Sequence, residues 1–342
     1  MDDVPSVARQ AAHPEPAQGS GAGDSPRVQV KPHTHDLPLR VGTRGSPLAL
    51  AQAYETRRRL SEALGWPSEG IELKIIRTSG DAIQDRPLAE AGGKGLFTKE
   101  IDIALLAGKI DGAVHSGKDL PTLIPDGIVL AGFLPREDVR DALISAASDT
   151  VEGLPPGATL GAASLRRQAQ ALRLRPDLKL ELLRGNVETR LRKAESGAIG
   201  ATLLAMAGLK RLGLVHRARA PLSLDSFLPA VGQGAIALTA RTGDARALDA
   251  FAAILHAPTF AELAAERAYL AELEGSCRTP IAGLARVADG RLRFKGEVFR
   301  TDGTEVFAIE AEGAVADAAR LGAEAGRTLK ARLPEGVLAK ET

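Results

Sequence analysis

The chain has 342 residues, of which 44% are hydrophobic and 25% charged, and its formal net charge is +1. Balanced charge with only 3% aromatic residues argues against a nucleic-acid-binding protein, which needs basic surfaces and exposed rings. The single cysteine, Cys277, excludes an intrachain disulfide and a cysteine-based metal centre, and no apolar run reaches the roughly 20 residues of a membrane helix.

Residues 1–38 are predicted to form a disordered tail. Proline and glycine are frequent there, whereas Phe, Ile, Tyr and Trp are absent. Such a segment cannot bury enough apolar surface to offset the entropy lost on ordering. Asp2 and Asp3 stand where a signal peptide carries basic residues, and no apolar run follows them, which favours a cytoplasmic protein.

Strands and helices are predicted to alternate from Leu39 onward. A short strand at 39–41 leads to Ser46-Pro47, which is typical of an N-cap followed by proline at the first helical position. That helix is expected to run to about Leu64. The other elements expected in this part are strands near 71–75, 112–115 and 128–133 and a helix near 98–106.

The same alternation continues in a second unit. Ser164 is expected to cap one of its helices. Alternation of this kind favours parallel sheets, in which ligands bind where strands end and helices begin. Polar breaks at 135–138 and 228–234 are candidate crossings between the two units. The expected elements are strands near 142–145, 159–161, 180–183 and 201–205 and helices near 164–172 and 187–195.

After about residue 256 the pattern changes to a small α+β domain. Asp289-Gly290, between two strand-like segments, is typical of a tight hairpin turn. The expected elements are helices near 260–273 and 314–333 and strands near 281–287, 292–299 and 305–312. The predicted domains are therefore 39–135 with 230–254 (α/β), 136–229 (α/β) and 255–342 (α+β).

Arginines recur where predicted strands end and helices begin. An arginine is unfavourable at a helix N-terminus, because the positive end of the helix dipole lies there. Repetition of this placement indicates an anion, such as a carboxylate or phosphate, held by backbone N–H groups and guanidinium groups together. Solvated surface arginines are the alternative interpretation. The residues concerned are Arg44, Arg166, Arg167, Arg184 and Arg190.

The polar segment that ends in Lys118 and Asp119 is a further candidate for a functional site. Lys118 and Asp119 follow the predicted strand at 112–115, although Asp119 is also a common turn residue. His115 and Ser116 are adjacent in that strand and point to opposite faces, so they do not form a catalytic triad, and we expect His115 to be packed or hydrogen-bonded.

Two loops complete the set of candidates. Gly92-Gly93-Lys94-Gly95 lacks the Ser or Thr of a phosphate-binding loop, which favours a mobile glycine-rich lid instead. Cys277 follows a predicted helix and has Arg278 beside it, which favours a reactive thiolate; a small buried side chain is the alternative.

Taken together, these segments resemble the porphobilinogen deaminase family, in the family's order, over about residues 39–342. The similar segments are Thr43-Arg44-Gly45-Ser46-Pro47-Leu48-Ala49-Leu50, Gly92-Gly93-Lys94-Gly95-Leu96-Phe97, Ala113-Val114-His115-Ser116-Gly117-Lys118-Asp119-Leu120-Pro121, Ser164-Leu165-Arg166-Arg167-Gln168, Leu183-Arg184-Gly185-Asn186-Val187, Ala207-Gly208-Leu209-Lys210-Arg211-Leu212-Gly213, Leu228-Pro229-Ala230-Val231-Gly232-Gln233-Gly234-Ala235 and Leu273-Glu274-Gly275-Ser276-Cys277. Eight motifs in order make the resemblance specific.

The resemblance implies a transferase of tetrapyrrole (haem, chlorophyll and corrin) biosynthesis. Enzymes of this family join four porphobilinogen molecules head to tail, release four ammonia molecules and produce hydroxymethylbilane. They hold a dipyrromethane cofactor through a thioether to a cysteine. The family's fold implies two periplasmic-binding-protein-like α/β domains joined by two crossings and a C-terminal α+β domain. It also implies a monomer whose product passes to a uroporphyrinogen-forming enzyme.

The resemblance also implies a role for individual residues. Asp119 is the expected catalytic carboxylate, which stabilises the cation left when ammonia leaves the substrate. The expected cofactor-binding residues are Cys277, through the thioether, with Lys118, Asp119, Ser164, Arg166, Arg167 and Arg190. The expected substrate-binding residues are Arg44, Ser46, Arg184, Arg190 and Arg211, and Lys94 and Lys99 belong to the expected lid. No metal is expected.

The chain departs from the family pattern at three positions near these residues. Ala162 and Ala163 replace two hydroxyl side chains, and Glu188 stands where glycine is common, so we expect Glu188 to point outward. The alternative function is a non-catalytic two-lobed receptor for a small dicarboxylate. Such a receptor shares the α/β lobes and the arginines but needs neither Asp119 nor Cys277.

Overall fold

The computed structural model describes residues 38–82, 95–275 and 279–338. The predicted tail up to residue 37, Lys94 and Cys277 lie outside the described residues. In chain order the elements are β1 (Leu39–Thr43), α1 (Pro47–Leu64), β2 (Ile71–Ile75), α2 (Ser79–Ala82), α3 (Lys99–Leu106), β3 (Gly112–Ser116), β4 (Ile128–Phe133), β5 (Asp141–Ser145), β6 (Thr159–Gly161), α4 (Leu165–Leu174), β7 (Lys179–Glu181), α5 (Val187–Glu195), β8 (Ala201–Ala205), α6 (Met206–Arg211), β9 (Ala220–Pro221), β10 (Ile236–Arg241), α7 (Ala245–Ala252), α8 (Ala257–Glu272), β11 (Ile281–Ala288), β12 (Arg291–Phe299), β13 (Val306–Ala314) and α9 (Ala318–Lys330).

Two five-stranded sheets form the α/β part of the molecule. Their strand orders are β2-β1-β3-β10-β4 and β7-β6-β8-β5-β9. In the first sheet β1 is parallel to β2 and β3, whereas β10 runs antiparallel to β3 and β4. In the second sheet β6 is parallel to β7 and β8, whereas β5 runs antiparallel to β8 and β9.

The prediction of parallel sheets is therefore wrong for one strand of each sheet, β10 and β5. β5 and β10 each follow a crossing from the other sheet, at residues 134–140 and 222–235. Each begins at the edge where its neighbour ends, since Asp141 of β5 pairs with Ala205 of β8 and Ile236 of β10 pairs with Ser116 of β3. The two strands therefore run antiparallel to these neighbours. The α/β class itself, with two crossings between the sheets, is confirmed.

Local signals set the ends of several helices. The Ser46 side chain accepts a hydrogen bond from the Ala49 N–H and caps α1, which ends at Gly65 in the left-handed conformation (φ 67°). The Ser164 side chain likewise caps α4. Both caps were expected, because a serine hydroxyl satisfies an N–H group that the first helical turn leaves unpaired.

Two predicted boundaries differ from the structure. The strand expected at 180–183 is β7, which ends at Glu181 because its neighbour β6 is three residues long. The closing helix, expected from 314, begins at Ala318 because β13 continues to Ala314, which pairs with Arg291.

The C-terminal part is a three-stranded antiparallel meander covered by α8 and α9. The Asp289-Gly290 turn was predicted correctly, and both residues have positive φ (52° and 72°), as a tight two-residue turn requires. Tyr269 of α8 is fully buried, with its ring 4.9 Å from that of Phe294. The α9 residue Gly322 touches the α8 backbone, where a Cβ would lie 2.0 Å from the Ala265 carbonyl oxygen, so α9 packs closely only with glycine at this position.

A buried ion-pair cluster joins the first crossing to the C-terminal part. Arg136 Nη1 lies 2.6 Å from Glu266 Oε1 and 3.5 Å from Glu262 Oε2. Glu266 also accepts hydrogen bonds from the backbone N–H groups of Gly232, in the second crossing, and Ala285, in β11. A buried charge is stable only when it is paired and hydrogen-bonded, so this cluster fixes both crossings against α8.

Among the described residues, no single helix is long and apolar enough to cross a membrane. Only the pair α7 and α8, taken together, meets the requirement of length and composition, with a bend of 113° between the two helices.

Candidate active site

Asp119 lies at the carboxyl end of β3, in a single 3-10 turn formed by Gly117–Asp119. The Gly117 N–H donates to the Ala235 carbonyl at 2.8 Å. A Cβ at position 117 would lie 2.9 Å from the Gly232 carbonyl oxygen, so glycine lets this strand end approach the second crossing. The Asp119 side chain is 30% exposed and therefore open to a ligand.

Arg44 faces Asp119 from the end of β1. Its Nη1 lies 3.6 Å from Asp119 Oδ2, whereas its Nη2 donates to Asp81 Oδ1 at 2.5 Å. The Phe97 ring packs on the guanidinium, with the Arg44 Cζ atom 4.2 Å from the ring centroid. Thr78 donates to the other Asp81 oxygen at 2.8 Å. Arg44 is thus oriented mainly by Asp81 and Phe97, which leaves the Asp119 carboxylate only loosely paired.

His115 lies in β3, four residues before Asp119. It is buried, and its Nε2 lies 3.1 Å from the hydroxyl of Thr239 in the neighbouring strand β10. Burial lowers the pKa of His115 to about 4, and the nearby Arg44 charge lowers it further in the same direction. The prediction of a packed, hydrogen-bonded histidine is confirmed.

The Asp141 carboxylate, at the start of β5, binds three side chains: two arginines and a glutamine. Arg166 Nη2 lies 2.8 Å from one carboxylate oxygen and Arg167 Nη2 lies 2.6 Å from the other. Gln233 donates to the second oxygen at 3.1 Å. All four side chains are buried. Although burial alone would raise it, the two arginines hold the pKa of Asp141 well below its usual range, so the carboxylate is ionised.

The chain itself therefore supplies an anion at the N-terminus of α4. The sequence indicated an external carboxylate or phosphate there, and the structure shows that Asp141 neutralises part of the charge of Arg166 and Arg167. Arg166 Nη1 also donates to the Leu228 carbonyl at 2.7 Å, whereas its buried Nε has no hydrogen-bond partner among the described residues. A buried donor without a partner is costly, which fits a ligand that accepts from it.

Lys118 is close both to Asp119 and to the cluster of Asp141 with Arg166 and Arg167. Its Nζ donates to Gln233 Oε1 at 3.1 Å, and the Gln233 amide in turn binds Asp141. Burial is the main reason that the pKa of Lys118 falls to about 8; Arg167 lowers it further, whereas Asp119 raises it. Lys118 makes no ion pair within 4 Å among the described residues.

Arg190 of α5 resembles Lys118, because it is a cation whose described hydrogen-bond partner is neutral. Its Nε donates to the Gly185 carbonyl at 2.9 Å, in the turn that precedes α5, where Asn186 caps the helix by accepting from the Thr189 N–H at 2.9 Å. Burial lowers the pKa of Arg190 to about 10; the positive charges of Arg167 and Arg184 lower it further, whereas Asp119 raises it. Arg190 and Arg184 are thus near enough to repel each other.

Among the described residues, the site holds more cations than carboxylates. Asp141 pairs with Arg166 and Arg167, and Asp81 pairs with Arg44, while the described hydrogen-bond partners of Lys118 and Arg190 are neutral. Such a cluster is stabilised by a ligand with several carboxylates. No group of three or more His, Cys, Asp or Glu side chains in the described part of the chain is placed to hold a metal ion.

The other residues expected at the site have different surroundings. Arg211 Nε lies 3.2 Å from Glu55 Oε2 on α1, and its Nη2 donates to the Gly234 carbonyl at 3.1 Å. Lys99 is exposed at the start of α3, and Ser46 and Ser164 serve as helix caps. Of the departing positions, Ala162 is buried, whereas Ala163 and Glu188 are half-buried, and Glu188 lies in the first turn of α5.

Three residues at the site were missed by sequence reasoning. Asp81 and Phe97 flank the segment 83–94 and meet at Arg44, and Asp141 meets Arg166 and Arg167. Only Asp141 gave a usable signal, since an aspartate at the start of an apolar strand must find a buried partner.

Two mixed sheets with helices, a carboxylate at a strand end and an excess of half-buried cations among the described residues are typical of a protein that binds a small, multiply negative ligand. Two family models match the chain: "Porphobilinogen deaminase, dipyromethane cofactor binding domain" over residues 39–249 and "Porphobilinogen deaminase, C-terminal domain" over residues 260–331. The chain belongs to the porphobilinogen deaminase family.

Curated relatives agree with this assignment. The porphobilinogen deaminase of Nitrobacter winogradskyi is 58% identical over 301 residues, which cover 88% of this chain and 95% of that protein. The porphobilinogen deaminase of Paracoccus denitrificans is 54% identical over 297 residues, which cover 87% of this chain and 95% of that protein.

Two solved structures of substrate-binding proteins resemble the chain only distantly. The second substrate binding domain of a putative amino acid ABC transporter from Streptococcus pneumoniae is 15% identical, with a TM-score of 0.38, over 63% of this chain and 92% of that one. The periplasmic aliphatic sulphonate binding protein of Escherichia coli is 15% identical, with a TM-score of 0.37, over 69% of this chain and 70% of that one. Likeness at this level carries no functional conclusion.

Proposed function

We propose that this enzyme, a transferase, joins four porphobilinogen molecules head to tail, with release of four ammonia molecules, and that Asp119 and the surrounding cations carry the reaction. The observation that supports it most is the position of Asp119: a carboxylate that is 30% exposed at a strand end, among cations that outnumber the carboxylates of the described site. The receptor alternative is not favoured, because the matched family consists of enzymes.

The surplus cations bind the acid side chains of the substrate and of the growing chain. Each pyrrole unit carries an acetate and a propionate, so every added unit brings two negative charges. Lys118 and Arg190 lack a carboxylate partner among the described residues, which leaves their donors for these groups. Arg44, Arg184 and Arg167 extend the same surface, since guanidinium groups bind carboxylates in a bidentate manner. Substrate contacts of Ser46 and Arg211 and a lid role for Lys94 and Lys99 remain predictions.

Asp119 stabilises positive charge on the substrate. When ammonia leaves the aminomethyl group of porphobilinogen, a cation develops on the ring system. A carboxylate fixed nearby lowers the energy of that cation more than that of the neutral substrate, which is the condition for catalysis. The loose contact with Arg44, at 3.6 Å, leaves the charge of Asp119 available for this purpose.

The residues present fit a dipyrromethane cofactor attached to Cys277. The buried Arg166 Nε, which has no hydrogen-bond partner in the described part of the chain, and the cations Lys118 and Arg190 match the carboxylates of two pyrrole rings. When bound, the cofactor supplies the primer to which substrate units are added. Ser164, at the start of α4, stands beside Arg166 and Arg167 and offers a further hydroxyl, while Ala162 and Ala163 offer none.

We also propose the expected domain limits, 39–135 with 230–254, 136–229 and 255–342. The three sheets support them, because each lies within one of these ranges. A reduced thiol at Cys277 suits a cytoplasmic protein. A monomer whose product passes to a uroporphyrinogen-forming enzyme is part of the same proposal.

Intact mass spectrometry tests the cofactor assignment directly. The purified chain is expected to exceed its sequence mass by two pyrrole units, and the variant Cys277→Ser is expected to fold but to show the sequence mass alone, because a hydroxyl is a much poorer nucleophile than a thiolate. An unmodified mass on active wild-type protein, or full activity of Cys277→Ser, would contradict the thioether.

A further inference from the structure

The Gln233 side chain lies between the Lys118 ammonium and the Asp141 carboxylate. It is fully buried, and its oxygen and both of its N–H groups are used. Its Nε2 donates to the Val139 carbonyl at 2.8 Å and to Asp141 Oδ1 at 3.1 Å, and its Oε1 accepts from Lys118 Nζ at 3.1 Å. Only this orientation of the amide fits, because a flipped amide would point N–H groups at the ammonium and its oxygen at the carboxylate.

The backbone around Gln233 is held against the turn that carries Lys118. Gly232 has a positive φ (74°), and a Cβ there would lie 2.9 Å from the Lys118 backbone nitrogen, so glycine allows this close approach. The Gln233 carbonyl accepts from Arg136 Nε at 2.9 Å, and the Gly232 N–H donates to Glu266 Oε2 at 2.8 Å. The position of the Gln233 amide is therefore set by the fold and not by Lys118.

Lys118 keeps two N–H groups for which the described residues provide no acceptor. Four charged side chains surround it: Arg166 and Arg167 of α4, which repel it, and Asp119 and Asp141, which attract it. Neither carboxylate lies within 4 Å of Lys118 Nζ, and the nearest described acceptor is the neutral amide of Gln233. Asp141 pairs with the two arginines instead, and the ammonium keeps its charge for a ligand.

We propose that Gln233 is a positioning residue, whose amide holds the Lys118 ammonium apart from Asp141 and directs its two remaining N–H groups toward the acid side chains of the substrate and of the growing chain. This inference rests on the proposed role of Lys118 in binding those carboxylates. A neutral amide suits this task, because it accepts a hydrogen bond from the ammonium without neutralising its charge. A carboxylate in its place would pair with Lys118 and repel Asp141.

The test is the pKa of Lys118 itself, measured on the purified enzyme without substrate by competitive labelling with trace acetic anhydride. Mass spectrometry of the peptide that contains Lys118 gives its acetylation rate at each pH, and the exposed Lys109 of the same chain is the internal reference. Gln233→Met removes the acceptor with little change in shape. Gln233→Asn withdraws the amide by one methylene and serves as the second variant if the first does not fold.

The matched control is Gln170→Met. The Gln170 amide is also buried and also binds the second crossing, since its Nε2 donates to the Leu228 carbonyl at 3.0 Å and its Oε1 accepts from the Leu228 N–H at 2.7 Å. These hydrogen bonds do not involve Lys118. The loss of the Gln170 amide is therefore expected to lower the free energy of unfolding and to leave the pKa of Lys118 unchanged.

We expect the pKa of Lys118 to fall by about one unit in Gln233→Met and to fall in Gln233→Asn as well, because a hydrogen bond to a charged group favours the charged form. At about pH 6 such a fall makes Lys118 roughly 10-fold more reactive. The alkaline limb of kcat/KM is expected to move to lower pH by the same amount.

An unchanged or raised pKa of Lys118 in the Gln233 variants, or an equal fall in Gln170→Met, overturns the positioning role. A different result separates this inference from the proposed function. If the pKa of Lys118 falls in the Gln233 variants while the pH profile of kcat/KM stays in place, Gln233 still fixes Lys118, and the proposed binding of substrate carboxylates by Lys118 fails instead.

Discussion

Arg44 and Asp119 face each other at 3.6 Å, while Arg44 makes its shorter ion pair, at 2.5 Å, with Asp81. A carboxylate with a close guanidinium partner would be largely neutralised. The second carboxylate on Arg44 prevents this, so Asp119 keeps an available negative charge beside the cations that we propose bind the substrate's acid groups. In the proposed mechanism, the charges for binding and the charge for catalysis are thereby separate residues of one site.

Replacement of Asp119 by Asn is expected to reduce kcat by roughly 10²–10³-fold, the usual effect of removing one preorganised electrostatic group. The fold is expected to survive, because the two side chains are nearly isosteric. Asp119→Glu keeps the charge and is expected to be much less impaired. Steady-state kinetics of both variants checks this. A near-normal kcat in Asp119→Asn with only a raised KM would make Asp119 a positioning residue.

Lys118 is expected to give the enzyme a pH limit. Its folded-state pKa is about 8 and its ordinary value 10.5, so the bound proton that attracts carboxylates is lost as the pH rises through about 8. We therefore expect kcat/KM, which reports the free enzyme, to fall above that pH. For stability the sign is opposite: between pH 8 and 10.5 the folded state binds fewer protons than the unfolded chain, so the contribution of Lys118 to the free energy of unfolding rises with pH.

The variant Lys118→Met is expected to have a low kcat/KM without this alkaline limb. Lys109→Met, at an exposed lysine, is the control and is expected to retain the wild-type profile. A limb of unchanged shape in Lys118→Met would assign the titration to another group.

Arg190→Leu is expected to weaken substrate binding without loss of stability. Arg190 is a desolvated cation with a neutral partner, the Gly185 carbonyl, so its removal relieves an unfavourable burial of charge. Loss of a charge-assisted hydrogen bond to a substrate carboxylate costs about 1.5–3 kcal/mol, which corresponds to roughly 10- to 150-fold in KM. Thermal unfolding and kinetics measure the two effects separately. A lower Tm with an unchanged KM would show that Arg190 is structural.

Arg166→Leu, in contrast, is expected to lower the stability of the protein. Asp141 would remain buried with one guanidinium partner, and breaking a buried pair typically destabilises a protein by about 3–5 kcal/mol. Denaturant unfolding measures the change. The control is Arg58→Leu, which breaks an exposed pair with Glu62 on α1 and is expected to cost about 0.5 kcal/mol or less. Similar losses in both variants would contradict the account of the Asp141 cluster.

Much of the local structure was determined by the sequence alone. The strands at 128–133 and 159–161 and the helix at 187–195 have the predicted bounds, and Ser46 and Ser164 cap the predicted helices. These signals are local, since a cap or an apolar period acts over about four residues of the same segment. The order of the motifs likewise determined the family, and with it the roles expected of Asp119 and Cys277.

The tertiary structure alone decided which charges meet. No periodicity links Asp141 to Arg166, Arg44 to Asp81 or Thr122 to Gly275, because these partners belong to different elements and are brought together by packing. The directions of β5 and β10 were also beyond the sequence pattern, since they depend on how each crossing returns the chain to a sheet. Hydrophobic burial is non-directional and fixes elements and core, whereas the pairing of buried charges depends on geometry that only the assembled fold provides.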